Sequence, residues 1–197
     1  MLIEILVIAG AYLIGSVSAA IITCRIMGLP DPRGSGSKNP GATNVLRLGG
    51  KKAAIITLLG DLIKGLLPVL VAQLMQLDMS IIALTGLAAF LGHLYPVFFG
   101  FQGGKGVATA LGVYFGIAWQ AGLLFVAVWL VVASISRISS LSALTATLFM
   151  PAFFYYFSGS LWVAGTTSVM AALIFWRHRS NIRKIIDGTE KQLGHKD

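Results

Sequence analysis

The sequence predicts an all-α, polytopic membrane protein with seven transmembrane helices, two of them short, its N-terminus outside and its C-terminus in the cytoplasm. Three observations carry this. Of 197 residues, 56% are hydrophobic and only 11% are charged, and mean hydropathy is +0.84, a balance that belongs to chains solvated by lipid. Apolar runs of the length needed for a ~30 Å hydrocarbon core follow one another along the chain. The segments between them can be arranged so that the cations gather on one side, as the positive-inside rule demands.

The first apolar run, residues 5–24, is preceded by Glu4 and followed by basic residues from Arg25 onward. That order predicts a retained span with its N-terminus outside, since a secretory signal begins with positive charge. Further runs cover residues 53–75, 79–100, 107–136, 141–157 and 161–176. If the run 107–136 crossed only once, Arg137 and the basic C-terminal tail, residues 177–197, would lie outside. A hairpin breaking near residues 120–122 returns every cationic loop to the cytoplasm and leaves Glu4 and Asp78 outside. Each half would then hold about 14 residues, roughly 21 Å of helix, so both need local bilayer thinning or burial against neighbours. With no internal repeat and no low-complexity tract, residues 1–197 read as a single integral membrane domain.

The net charge of +8 follows from the orientation rule, so no nucleic-acid partner is expected. The single cysteine, Cys24, has no internal disulfide partner and no paired base, and reads as a small packed hydrophobe. Asp61, Asp187 and Glu190 are scattered among cations, unlike an oxygen-rich metal cage, so no metal and no cofactor are expected.

Two loops concentrate Gly, Ser, Asn and cations. In residues 31–52, Gly34, Gly36 and Gly41 allow successive N–H groups to converge on an anion, and Ser35, Ser37, Thr43 and Asn44 add side-chain donors. Arg33 and Arg47 offer planar forks for phosphate oxygens, and Lys38 a point charge. Taken alone, the stretch reads equally as a phosphate cradle or as a polar cytoplasmic loop. The second loop, Gly103-Gly104-Lys105-Gly106, immediately precedes a helix starting near Val107, whose N-terminus offers N–H groups and a positive dipole end. It is not a Walker loop, because Gly106 rather than Ser or Thr follows the lysine.

Other polar residues carry milder readings. Asp61 and Lys64, at i and i+3, share a helical face and read as a pair inside the bundle, Asp61 as a structural group. His93 lies about two helical turns before the Gly-Gly-Lys loop and reads as a packed interfacial histidine. Ser139, Ser140 and Ser142 follow Arg137 at a turn where serine commonly caps a helix. The tail from Trp176 is expected to be helical to residue 186, with Gly188 as its stop; His178 and Asn181 share one side while Arg177 and Lys184 snorkel toward lipid phosphates.

The runs Gly36-Ser37-x-Asn39-Pro-Gly-Ala-Thr-Asn-Val-Leu-Arg47, Gly92-His-x-Tyr-Pro-Val-Phe98 with Gly103-Gly-Lys-Gly-Val-Ala-Thr109, and His178-Arg-x-Asn-Ile182 with Gly188-Thr-Glu190 resemble the bacterial acyl-phosphate:glycerol-3-phosphate acyltransferase family, in order and spacing along the whole chain. Lys38 departs from the family, which commonly has a small residue there, typically Gly. The resemblance implies transfer of a fatty acyl group from acyl phosphate, not acyl-CoA, to the 1-hydroxyl of glycerol 3-phosphate, giving lysophosphatidic acid and inorganic phosphate in phospholipid synthesis. It implies a multi-pass protein of the bacterial inner membrane working at the cytoplasmic face, in contact with membrane lipid, with the acyl-phosphate-producing enzyme a candidate partner.

Acyl phosphate is a mixed anhydride with a good leaving group, so such an enzyme must orient the hydroxyl, stabilise the oxyanion and neutralise the departing phosphate. Ser37, Arg47, Lys105, His178 and Asn181 are the candidate catalytic residues, with Ser35, Asn39, Thr43, Asn44, Gly103, Gly104 and Ser140 as substrate-binding groups. Ser37, Arg47, Lys105 and Ser140 are expected to hold phosphate. His178 and Asn181 are expected to hold glycerol 3-phosphate, His178 being the natural base; the rival base is the substrate's own phosphate dianion. A transporter of a phosphorylated anion would use the same basic loops as a vestibule, but such proteins carry inverted repeats and midplane sites. A lipid-binding scaffold would not need the Gly-rich runs.

Overall fold

The computed structural model describes residues 1–193; the last four residues of the basic tail lie outside the described part. The described chain is helical throughout, with no strand. It divides into two compact units, the first Met1–Ile117 and the second beginning at Ala118.

The first unit opens with α1 (Leu2–Gly15) and α2 (Ala19–Ile26). The predicted first span is therefore one apolar run interrupted at residues 16–18. Ser18 is extended and its hydroxyl accepts from the Ile21 amide, restarting the helix as an N-cap. Helix α3 (Ala42–Leu74) begins inside the first polar loop and is kinked at Gly50, whose φ of 74° is left-handed. Helix α4 (Met79–Leu94) is followed by a short 3-10 turn, Val97–Phe99, and the chain then returns through a non-helical segment to α5 (Val107–Ile117).

Small residues let these helices approach closely. A Cβ on Gly65 would stand 2.2 Å from the Thr109 carbonyl oxygen, and one on Gly112 would stand 2.0 Å from that of Leu62, so α3 and α5 touch backbone to backbone. Gly15 against Ala89 and Gly92 against Tyr12 do the same for α1 and α4. Helix α5 has only 11 residues, about 16 Å of rise, and its Thr109, Ala110, Gly112, Val113, Tyr114 and Gly116 are buried. The expected help for a short helix thus takes the form of burial against neighbours. Cys24 packs with Ala20, Val45 and Ala53, as a small hydrophobe.

The second unit holds α6 (Trp119–Ser136), α7 (Ser139–Ser158), α8 (Leu161–Arg177) and α9 (Arg179–Ile186). The long apolar run breaks at Ala118, which is extended, rather than near residues 120–122, giving helices of 11 and 18 residues instead of equal halves. Gly122, at the expected break, is buried in the first turn of α6, so the helix continues through residues 120–122. The tail helix ends before Gly188, which adopts a φ of 68°, as its composition predicts.

By length and composition, five helical segments among the described residues are apolar and long enough to cross a membrane: Leu2–Ile26, Ala42–Leu74, Met79–Phe99, Trp119–Ser136 and Ser139–Ser158. Val107–Ile117 and Leu161–Arg177 are shorter apolar helices. Exposed Ile55, Leu58, Leu59, Ile63 and Leu67 on α3 form the kind of face that lipid, not water, covers.

Candidate active site

In the first unit the loop before α3 is built around Asn44. This residue is 1% exposed; its Oδ1 accepts from the Ser37 amide at 2.8 Å, and its Nδ2 donates to the Pro32 and Ser35 carbonyls, both at 3.0 Å. A Cβ at Gly36, which has a φ of 60°, would overlap the Asn44 carboxamide. Asn44 is therefore the post around which residues 32–37 are wound, and its donors serve the loop's own backbone rather than an incoming anion.

Arg33 is likewise engaged. Its guanidinium forms a fork-to-fork pair with Asp31, the shortest contact being 2.6 Å, and reaches the Phe99 carbonyl at 3.4 Å. Hydrogen bonding from Arg33 holds the Asp31 carboxyl below its ordinary range, and the Asp31 contact raises the Arg33 guanidinium in turn. The expectation of an Arg33 phosphate contact is corrected accordingly: its second edge binds a carboxylate of its own loop. Ser37, Thr43 and Arg47 are exposed, Ser35 and Asn39 half-buried, and Arg47 stands on the first turns of α3, before the Gly50 kink.

The second loop lies flat on the end of α4. The Gly104 amide donates to the His93 carbonyl at 3.2 Å. A Cβ on Gly103 would fall 2.0 Å from that carbonyl oxygen. One on Gly104 would fall 2.3 Å from His93 Nε2 and 2.9 Å from the Pro40 carbonyl oxygen. Only glycine fits at either place, and at Gly104 the two polar loops meet. Lys105 is half-buried, and α5 starts at Val107, so the N-terminus expected beside this loop is present.

Behind the loop sits a buried charged cluster. Lys64 Nζ is 2.8 Å from Asp61 Oδ1 and donates to the Val17 carbonyl at 2.7 Å. His93 Nδ1 lies 3.5 Å from the same Asp61 oxygen. Lys64 therefore closes the interruption between α1 and α2, answering a carbonyl that the broken helix leaves without its usual partner. Sequence spacing found the Asp61–Lys64 pair but placed His93 two turns from the loop; it missed that the chain doubles back through residues 97–106 and lays Gly104 on the imidazole.

In the second unit His178, 3% exposed, is the junction of α8 and α9. Its Nδ1 is 2.8 Å from the Ile174 carbonyl. A carbonyl only accepts, so Nδ1 carries the proton and, in the neutral ring, the basic lone pair is on Nε2. Asn181 stands one turn on and donates to Glu190 Oε1 at 2.5 Å. Ser140, in the first turn of α7, donates to the same oxygen at 2.6 Å, and the Leu193 amide reaches the Arg137 carbonyl at 2.7 Å. Glu190 thus joins α7, α9 and the tail. Ser140, expected to hold phosphate, here docks Glu190. Sequence reasoning left Glu190 without a role, and its only signal was its place in the Gly188-Thr-Glu190 run. Ser142 donates back to the Ile138 carbonyl and Ser139 does not cap α7, so the serine caps expected there are absent.

Comparison with known proteins agrees with these motifs. A family model described as glycerol-3-phosphate acyltransferase matches residues 5–188. A glycerol-3-phosphate acyltransferase of Thioalkalivibrio sulfidiphilus is 60% identical, the match covering 100% of this chain and 97% of the relative. One from Methylococcus capsulatus is 55% identical over 98% of both chains. Two crystal structures of PlsY (YgiH), an integral membrane glycerol 3-phosphate acyltransferase, superimpose on the chain. The glycerol 3-phosphate form has a TM-score of 0.92 at 40% identity, covering 97% of this chain and 96% of that one. The lysophosphatidic acid form has a TM-score of 0.89 at 39% identity, covering 97% and 95%.

Proposed function

The chain belongs to the glycerol-3-phosphate acyltransferase family, and from that premise we propose that it moves a fatty acyl group from acyl phosphate to the 1-hydroxyl of glycerol 3-phosphate, releasing inorganic phosphate and lysophosphatidic acid. The observation that carries this reading is the contact of two Gly-rich basic loops at Gly104 and Pro40, an arrangement suited to two phosphorylated substrates. Solved relatives in glycerol 3-phosphate and lysophosphatidic acid forms match the acceptor and product.

The hydroxyl oxygen of glycerol 3-phosphate attacks the acyl carbonyl carbon, the tetrahedral oxyanion collapses, and the bond from carbon to the phosphate oxygen breaks. Ser37, Arg47, Lys105 and Ser140, with the amides of Gly103 and Gly104, hold the phosphate groups of the two substrates and neutralise the one that leaves. Ser35, Asn39 and Thr43 bind at the same loop, and Asn44 holds it in shape. His178 and Asn181 hold the acceptor, with the hydroxyl proton passing to His178 Nε2. No metal or cofactor enters these steps. A His178→Gln variant is expected to lose most turnover and the ionisation near neutral pH in its rate profile. Near-normal turnover with an unchanged profile would assign the proton to the substrate's phosphate instead.

We place the chain in the bacterial inner membrane as one domain, residues 1–197, with seven spans, N-terminus outside and C-terminus and active site at the cytoplasmic face. The support is charge parity. With α5 and Leu161–Arg177 counted as spans, Arg25, the loop 31–52, Lys105, Arg137 and the tail all fall on one side. The donor assignment is tested by following labelled glycerol 3-phosphate into lysophosphatidic acid with acyl phosphate or acyl-CoA as donor. Product from acyl phosphate alone is expected; product from acyl-CoA alone would replace the donor.

A further inference from the structure

We propose that His93, held by Asp61, is a positioning residue that fixes the Gly103–Lys105 loop against the loop before α3. This rests on the phosphate-loop reading above and adds a part that reading does not contain. The imidazole is held between two contacts. On one side Nδ1 faces Asp61 Oδ1 at 3.5 Å, and that carboxylate is anchored by Lys64 at 2.8 Å. On the other, Nε2 packs so closely on Gly104 that a methyl group there would stand 2.3 Å from it.

The Lys64 ammonium is fixed in turn by the Val17 carbonyl. A continuous line of polar contacts therefore runs from the interruption between α1 and α2, through α3 and α4, to the loop. All three side chains are nearly buried, at 2% for Asp61 and 6% for both Lys64 and His93. Burying an ammonium and a carboxylate among apolar helices is unfavourable unless both are well paired, and an apolar pair would pack α3 on α4 without that cost. What an apolar pair cannot do is orient an imidazole. A carboxylate fixed beside Nδ1 limits the ring's rotation, as an outer partner does for a ligand histidine. The Nε2–Cε1 edge of the ring then becomes a fixed stop against Gly104, which also lies close to the Pro40 carbonyl. The spacing of the two loops, and so of the two phosphates, is set from beneath by His93.

The test measures kcat and both KM values of the purified full chain in lipid for His93→Ala and for the double variant Asp61→Asn/Lys64→Gln, which removes both charges together. Both should raise the KM of the one substrate whose phosphate the loop holds by on the order of tenfold, with the other KM within about twofold and kcat largely kept. Combining all three changes should add little, because they act through one loop. Amide exchange across residues 103–106 should accelerate in each variant. A purely stabilising role would lower the melting temperature and the active fraction without separating the two KM values.

Folded variants whose two KM values stay together, or which lose kcat alone, would overturn the proposal. If His93→Ala does not fold, His93→Gln carries the same criterion. If the unmodified chain shows no acyl transfer, it is the proposed reaction that fails, and loop exchange unchanged by the His93 variant would then overturn this inference separately.

Discussion

Glu190 and Lys38 show how much meaning a single residue takes from its surroundings. Glu190 accepts from both Ser140 and Asn181 through one oxygen. Charge-assisted bonds of this kind contribute more than neutral ones. Glu190→Gln is therefore expected to destabilise the second unit by about 1–3 kcal/mol, read as a lowered melting temperature with a loosened tail. An unchanged melting curve would remove the clamp from the account. Lys38 adopts a φ of 56°, a conformation that costs an L-residue about 1–2 kcal/mol and glycine little. That explains physically why a lysine is an unusual occupant there. Lys38→Gly should keep transfer activity and leave the melting temperature equal or slightly higher, whereas Lys38→Val should lower it. Both positions were visible as motif members in the sequence, but composition holds no record of a dihedral angle or of a contact across fifty residues.

Helices were legible where their signal is local and concealed where it depends on packing. The apolar runs, the start of α5 at Val107 and the stop before Gly188 follow from hydropathy, glycine and dipole arguments. The interruption at residues 16–18 does not, because its unpaired carbonyl is answered by Lys64 on another helix, a long-range partner that no window along the chain contains. The division at Ala118 rather than at residues 120–122 has the same origin: Gly122, at the expected break, is buried in the first turn of α6, while α5 ahead of it packs closely against α3. Gly112→Ala tests that packing. Its methyl would meet the Leu62 carbonyl carbon and oxygen, backbone atoms that cannot rotate away, so a loss of about 1–3 kcal/mol is expected. The same substitution at Gly165, which has open space around it, should cost nothing.

For the molecule as a whole, charge parity makes a prediction that helix count alone does not. With Cys24 replaced by Ser, a single cysteine at Ala118 should react with a membrane-impermeant thiol reagent added to intact cells, and one at Thr189 only after permeabilisation. Labelling of both from the same side would mean an even number of spans between them and would contradict the three, α6, α7 and α8, that the account places there. Anion handling was legible because phosphate chemistry leaves a compositional mark, Gly-rich loops with Ser, Arg and Lys; the reaction class came from the resemblance of the motif runs to the acyltransferase family. The division of labour within each loop was not legible. Asn44, Arg33 and Ser140 all have donor chemistry suited to an anion, yet each is engaged by the protein itself, and only coordinates reveal that. The central claim is transfer between two phosphorylated substrates, and it is tested most directly by phosphate release from purified chain given acyl phosphate, with and without glycerol 3-phosphate. Release that requires glycerol 3-phosphate and matches lysophosphatidic acid one to one is the predicted result; release indifferent to glycerol 3-phosphate, or none from folded protein, would contradict it.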